Sequence, residues 1–236
     1  FVMDDRQQFQ PFHIDPPMLP TGADDFQDLN TTWTPNMSRI GMDALVGSNK
    51  DRGIMVRFEL DWKGVDEAFR IRHMFMRTRH WIVGKTWTSF NTLPYLPQTV
   101  CGHMTGAASG SRVPQIRYYN SKGNWRYQFS VEYQLASLIK PDSLEAMSRV
   151  YYPGLVGRFS YSGDWGQVGA AAILKPNRVK FTGDTKKTQT LMGYGANVGL
   201  KAIFKETNRV LFAAFAGSGM GSYIVDYSLT EIELIY

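Results

Sequence analysis

Arg39, Arg57, Arg70, Arg72, Lys85, Arg117, Arg126 and Arg158 are the residues whose types and spacing could do chemistry together, because they fall within segments where polar and apolar side chains alternate. A guanidinium binds a carboxylate bidentately, so a ladder of them on one surface attracts and orients small anions. Asp43, Glu59, Asp61 and Glu132 fall on the same face of those segments. They could pair with the basic residues and leave both signs as braces of a wall rather than as a site for solute.

Other chemistries lack their parts. His13, His73, His80 and His103 have no metal-ligand spacing, and Cys101, the only cysteine, has no identifiable catalytic partner and can form no intrachain disulfide. The run Gly217-Ser218-Gly219-Met220-Gly221 has no strand–helix context to make it a phosphate cradle. No GxSxG elbow is present, and Glu231 and Glu233 share a strand face without the marks of an acid–base pair. The sequence reads as neither an enzyme nor a cofactor or metal protein.

The elements that would position the basic residues are strands. Trp125 to Gln134 alternates without a break: Trp125, Tyr127, Phe129, Val131 and Tyr133 on one face, Arg126, Gln128, Ser130, Glu132 and Gln134 on the other. A strand crossing a bilayer in a barrel needs about 9–11 such residues, with aromatics at the interfaces and polar groups in the lumen. Similar segments occur at 38–46, 53–62, 69–78, 81–88, 113–119, 154–161, 165–174, 191–203, 208–216 and 229–236, giving ten or eleven strands. In 69–78 the alternation sets Ile71 and Phe75 opposite Arg70 and Arg72; in 113–119 it sets Ile116 and Tyr118 opposite Gln115, Arg117 and Tyr119.

Short connections such as 77–80, 120–124 and 162–164 carry turn residues, whereas 89–112, 135–153, 175–190 and 217–228 are long and rich in Gly, Pro, Ser and Met. Short turns at one rim and long loops at the other are the pattern of an outer-membrane barrel. The segment Ser89 to Arg112 is the candidate constriction loop, with an ordinary external loop as the alternative. Trp62, Trp81, Trp87, Trp125, Tyr151, Tyr152, Tyr161 and Trp165 lie near strand ends, where interfacial girdles form.

The 236 residues are 43% hydrophobic and 14% aromatic, with 26 Lys and Arg against 21 acids for a net charge of +5. No run of about 18 apolar residues is present, which excludes a helical span and leaves a barrel open. The first 37 residues are polar and dotted with proline, an extended lead-in before a barrel domain over 38–236. The start at Phe1, with no basic and apolar leader, suggests a processed or truncated chain.

Several blocks resemble, in order, the DcaP-like outer-membrane porins: Ser38-Arg39-Ile40-Gly41-Met42-Asp43, Val56-Arg57-Phe58-Glu59-Leu60-Asp61-Trp62, Arg70-Ile71-Arg72-His73-Met74-Phe75, Gly84-Lys85-Thr86-Trp87-Thr88-Ser89-Phe90 and Pro114-Gln115-Ile116-Arg117-Tyr118. The likeness is firmest from Ser38 to Tyr133 and returns at Val210-Leu211-Phe212 and the run from Gly217 to Tyr223. The resemblance implies a transmembrane antiparallel β-barrel of about sixteen strands and an inward-folded loop. It also implies a homotrimer among the lipid and lipopolysaccharide of a Gram-negative outer membrane, and passive diffusion of small, preferentially anionic solutes such as dicarboxylates. Ten or eleven strands fall short of sixteen, so the barrel domain is expected to be incomplete at its C-terminal side, and the family's N-terminal coiled coil is expected to be absent. A soluble β-sandwich or β-barrel that binds glycans, and a structural barrel subunit without transport, are the alternatives; no nucleic-acid partner is expected.

Overall fold

Ten strands follow one another in a single antiparallel meander: β1 (Arg39–Val46), β2 (Ile54–Asp61), β3 (Arg70–Arg77), β4 (Trp81–Trp87), β5 (Arg112–Lys122), β6 (Trp125–Glu132), β7 (Gly154–Gly163), β8 (Gly166–Phe181), β9 (Thr188–Phe204) and β10 (Asn208–Ser218). The structure, a computed structural model, describes residues 38–47, 53–62, 68–97, 109–134, 146–149, 152–181, 188–204 and 208–224, with the two-residue strands 2–3, 31–32, 138–139 and 234–235. Each of the ten pairs with the next, with β1 and β10 at the ends of the path, and one further short strand of the same sheet, Ala146–Arg149 within the segment 135–153 expected to be a loop, pairs antiparallel with Arg178–Phe181 of β8. The all-β fold and ten of the expected strands are therefore present. Of the last expected strand, 229–236, only Leu234–Ile235 is described, paired in parallel with Leu138–Ile139 apart from this sheet, and most of the lead-in 1–37 lies outside the described residues.

The connections alternate between two rims, with the tightest turns all at one of them. At one rim the chain turns through 47–53, 78–80, 123–124, 164–165 and 205–207; at the other it passes through 62–69, 88–111, 133–153 and 182–187. Gly123, with φ 57°, supplies the left-handed conformation that the tight turn between β5 and β6 needs.

The two faces of the sheet differ as the alternation requires. One carries Ile40, Met42, Val56, Phe58, Met74, Val83, Ile116, Phe129, Val131, Leu155, Phe159, Leu174, Val198 and Phe212, all exposed. No layer of the described residues covers this apolar face, as a soluble sandwich would require. Near the short-turn rim it ends in aromatics: Trp81 meets Tyr118 at 5.2 Å, Trp125 meets Tyr161 at 5.0 Å, and Tyr161 stacks on Trp165 at 6.3 Å between ring centroids. That is the placement of an interfacial girdle. Trp87 lies at the opposite end of its strand, under Arg112.

The other face, called inner below, carries Asp61, Gln115, Arg117, Ser130, Glu132, Arg158, Ser160, Lys175 and Asn197, all buried. Two segments cover it. One comprises residues 88–97, with a 3-10 turn at Leu93–Tyr95, and 109–111; the other follows β10 through a 3-10 turn at Gly221–Tyr223. Phe90, Val113, Val156, Ala171, Ile173, Met220 and Tyr223 close a small apolar cluster between the segments and the wall.

Two expectations need correction. Phe75 is not on the face of Ile71: the register between β2 and β3 shifts at Glu59/Leu60, pairing Glu59 with His73 and Leu60 with Ile71. The extra residue is a bulge that turns Arg72 and His73 to the same buried side and reverses parity beyond it, so Phe75 stands opposite Arg57 on the inner face. Residues 175–190 are not a loop either, since β8 runs to Phe181 and β9 starts at Thr188. Pro176 pairs with Met192 on one side, while on the other the described pairing of β8 lapses between Leu174 and Arg178. A residue without an N–H is tolerated where a ladder is interrupted.

Candidate functional site

The inner face is a ladder of charges crossed by a loop. On β1 to β3 the arginines are paired. Arg57 holds Asp43 with two hydrogen bonds of 2.7 and 2.6 Å, Arg70 holds Asp61 at 3.0 and 2.7 Å, and Arg72 spans Glu59 at 2.7 Å and Asp61 at 2.8 Å. These contacts follow from register, because Asp43 stands opposite Arg57 and Asp61 opposite Arg70. Arg57 and Asp43 are exposed, whereas Asp61 is 2% exposed and Arg72 8%.

On β5 to β7 the basic residues bond to neutral groups. Arg117 donates to Gln115 Oε1 at 2.9 and 2.7 Å, to Gln128 Oε1 at 3.3 Å and to the Trp87 carbonyl. Arg158 donates to the carbonyls of Ser89, at 3.3 Å, and Asn91, and reaches the Tyr95 hydroxyl at 3.5 Å. Arg126 is exposed, with Nε 3.5 Å from Ser121 Oγ, and Arg39 is exposed at the start of β1 opposite Asp61. Among the described residues, none of Arg39, Arg117, Arg126 and Arg158 forms a salt bridge. Lys85 stands apart from the expected set. It is in register with Met74 and Pro114, on the face of Val83 and Ile116, because the period of two carries it with Trp81 and Val83.

The loop is fastened from below by side chains of three adjacent strands. Glu132, fully buried, accepts from the Thr88 hydroxyl at 2.5 Å and the Ser89 N–H at 2.8 Å, and the Ser130 hydroxyl sits 2.6 Å from Oε1 and 2.8 Å from the Ser89 hydroxyl. Gln115 donates to the carbonyls of Thr86 and Trp87, both at 3.0 Å. The loop's second half is tied by Thr92, which exchanges backbone and side-chain bonds with Ser109, and by Asn197 Nδ2 on Ser109 Oγ at 3.3 Å. Residues 98–108, with Cys101 and His103, lie outside the described part.

The segment after β10 is joined to the same structure. Gly110 N–H donates to the Tyr223 carbonyl at 2.9 Å, Ser109 bridges to Ile224, and Phe90 meets Tyr223 edge to face at 6.3 Å. Lys175 Nζ donates to Ser222 Oγ at 2.8 Å and lies 5.5 Å from the Tyr223 ring centroid. Asn177 donates to the Gly219 carbonyl at 3.2 Å.

Sequence reasoning missed three participants. Arg112 lies over the Trp87 ring at 3.7 Å and points Nε at His73 Nε2, 3.4 Å away, so His73 accepts there and its Nδ1–H faces Thr86 Oγ1 at 3.0 Å. Lys175 was hidden by the apparent loop. Glu132 was visible as an inner-face carboxylate but not as the anchor of a segment 43 residues earlier in the chain. The described part of 89–112 thus folds onto the polar face, as a constriction loop does and an external loop does not.

The sequence profile of the DcaP outer membrane protein family matches residues 23–232, past Tyr133 where the motif blocks thin out. Among solved structures, the outer membrane channel DcaP of Acinetobacter baumannii superimposes with a TM-score of 0.65 at 20% identity, over 80% of this chain and 54% of that one. The chain thus spans about half the length of that channel. OmpT of Vibrio cholerae with loop L8 deleted, an outer membrane protein, gives a TM-score of 0.39 at 10% identity over 77% of this chain and 72% of its own. No curated protein matches the chain. Family profile, barrel-wall fold and exposed apolar face agree: this chain belongs to the DcaP outer membrane protein family, and the sheet is wall from a transmembrane β-barrel of the outer membrane.

Proposed function

We propose that the protein works as an outer-membrane porin through which small solutes diffuse passively, anions such as dicarboxylates in preference to cations, with no cofactor and no chemical step. The observation that carries this reading is the loop 88–97 lying across the polar face of a barrel wall, where it narrows a path lined by basic residues. The likeness of fold to an outer membrane channel supports it. Arg39, Arg57, Arg70 and Arg126 retain exposed surface and are the cations that meet the solute. Arg72, Arg117 and Arg158 are buried; the first two contribute through their field, and Arg158 holds the loop. Lys85, in register with the apolar face, is left out of the path. The working form is a homotrimer surrounded by lipid and lipopolysaccharide, each member with its own path.

The test is a planar-bilayer recording of the detergent-purified protein, with reversal potentials in a KCl gradient and in a dicarboxylate salt. Stepwise anion-selective current, closing in three levels, is the expected outcome. A folded barrel that carries no current would instead be a structural subunit. Cation-selective current would overturn the anion preference.

A further inference from the structure

The loop crosses the path without a charged side chain of its own meeting the wall: what the wall grips between Trp87 and Asn91 is backbone and hydroxyl. The grip has two poles. Glu132 on β6 takes the donors of Thr88 and Ser89, and Arg158 on β7 takes the acceptors of Ser89 and Asn91, so one residue, Ser89, is held by its N–H at one pole and its carbonyl at the other. Both charges are nearly or wholly buried and neither has a salt bridge among the described residues. A buried charge with no ion pair costs free energy unless hydrogen bonds replace its hydration. Here peptide and hydroxyl groups of the loop, with the Ser130 hydroxyl of the wall, are those replacements, so the loop's seated position is the one that solvates both charges. Tyr95 adds a mechanical stop, with its hydroxyl 3.5 Å from Arg158 and its ring against Gly199.

We infer that Glu132 and Arg158 are positioning residues that fix the height and width of the constriction by solvating the backbone at Ser89, and that neither is a contact for the solute. This rests on the channel reading given above. It separates Arg158 from the exposed arginines: neutralising Arg39 or Arg126 alters which ions pass, whereas neutralising the two posts alters how wide and how steady the path is.

The experiment reads the loop in two independent ways, in protein carrying Cys101→Ser. A nitroxide attached through Pro94→Cys, at an exposed position of the 3-10 turn, reports loop mobility whether or not the protein conducts. Single-channel recording reports the path. Glu132→Gln and Arg158→Met should each mobilise the label and raise both conductance and open-channel noise, with anion-to-cation permeability changed less than twofold. A disulfide formed through Ser89→Cys and Ser130→Cys, whose hydroxyls are 2.8 Å apart, should return label and conductance towards their starting values in the Glu132→Gln background. Thr88→Val, which removes one donor and keeps both charges, serves if neither charge variant folds, and should loosen the label too. An immobile label in the variants, or a severalfold change in selectivity with unchanged conductance, overturns the inference. A label freed as expected in a protein that conducts nothing leaves the two posts standing and overturns the channel reading instead.

Discussion

The ring of Tyr95 fills the space that a Cβ on Gly199 would need: a methyl there would stand 1.9 Å from Cδ2, and one on Gly169, the register partner of Gly199, 2.2 Å from the hydroxyl. The two glycines make a slot in the wall, and the loop is keyed into it. Gly199→Ala should therefore unseat Tyr95 and raise single-channel conductance while the wall still forms. Tyr95→Ala should raise it as well and cost about 3–5 kcal/mol, the range for emptying a buried aromatic site. Unchanged conductance in both would show that the slot does not locate the loop.

Asp43 neutralises Arg57 at an exposed point of the ladder. Asp43→Asn should release the guanidinium and increase anion preference, at a stability cost near the 0–1 kcal/mol typical of exposed pairs. The shift should shrink as KCl rises from roughly 0.1 to 1 M, where the screening length falls from about 10 to 3 Å. Reversal potentials in the two salts check both statements, and a shift towards cations would remove Arg57 from the path.

Asp61 carries the opposite expectation. It is buried and receives both Arg70 and Arg72, so Asp61→Ala leaves the buried Arg72 with Glu59 alone and should destabilise the folded barrel by about 3–5 kcal/mol. Urea unfolding from lipid vesicles measures this. A loss below about 1 kcal/mol would mean that water reaches the pair.

Phe159 and Gln128 test which face meets lipid. Phe159 lies mid-strand on the apolar face and Gln128 on the inner one. Phe159→Arg should cost about 2–4 kcal/mol, the penalty for an arginine near the bilayer midplane, and Gln128→Arg much less. Equal costs would contradict the assignment of faces.

The wall was legible in the sequence because a period of two survives in most strands, from Trp125 to Glu132 without interruption. It failed where local rules give way to pairing. The bulge at Arg72 and His73 leaves no mark in β3 that a single strand could reveal, since it is defined against the register of β2. The segment 175–190 reads as a loop because the lapse in the ladder beside Pro176 is a property of another part of the chain. The site divides in the same way. Arg57 opposite Asp43 follows from alternation and register, but Glu132 beneath Ser89, Arg158 beneath Asn91 and Tyr223 beside Gly110 join points far apart in sequence, and no local spacing encodes them.

Those distant joins also order assembly. Residues 88–97 need Arg158 from β7 and Gly199 from β9, and Gly110 needs Tyr223 from beyond β10, so contacts that cost the most chain entropy to close depend on strands laid down late. Refolding into vesicles should accordingly develop its strand signal before Tyr95 becomes protected, and simultaneous changes would argue against this order. On that order, and on the channel reading, a wall inserting into lipid would keep a wide, wet interior until its later strands are in place, and the narrow path would be the last part of the molecule to be made.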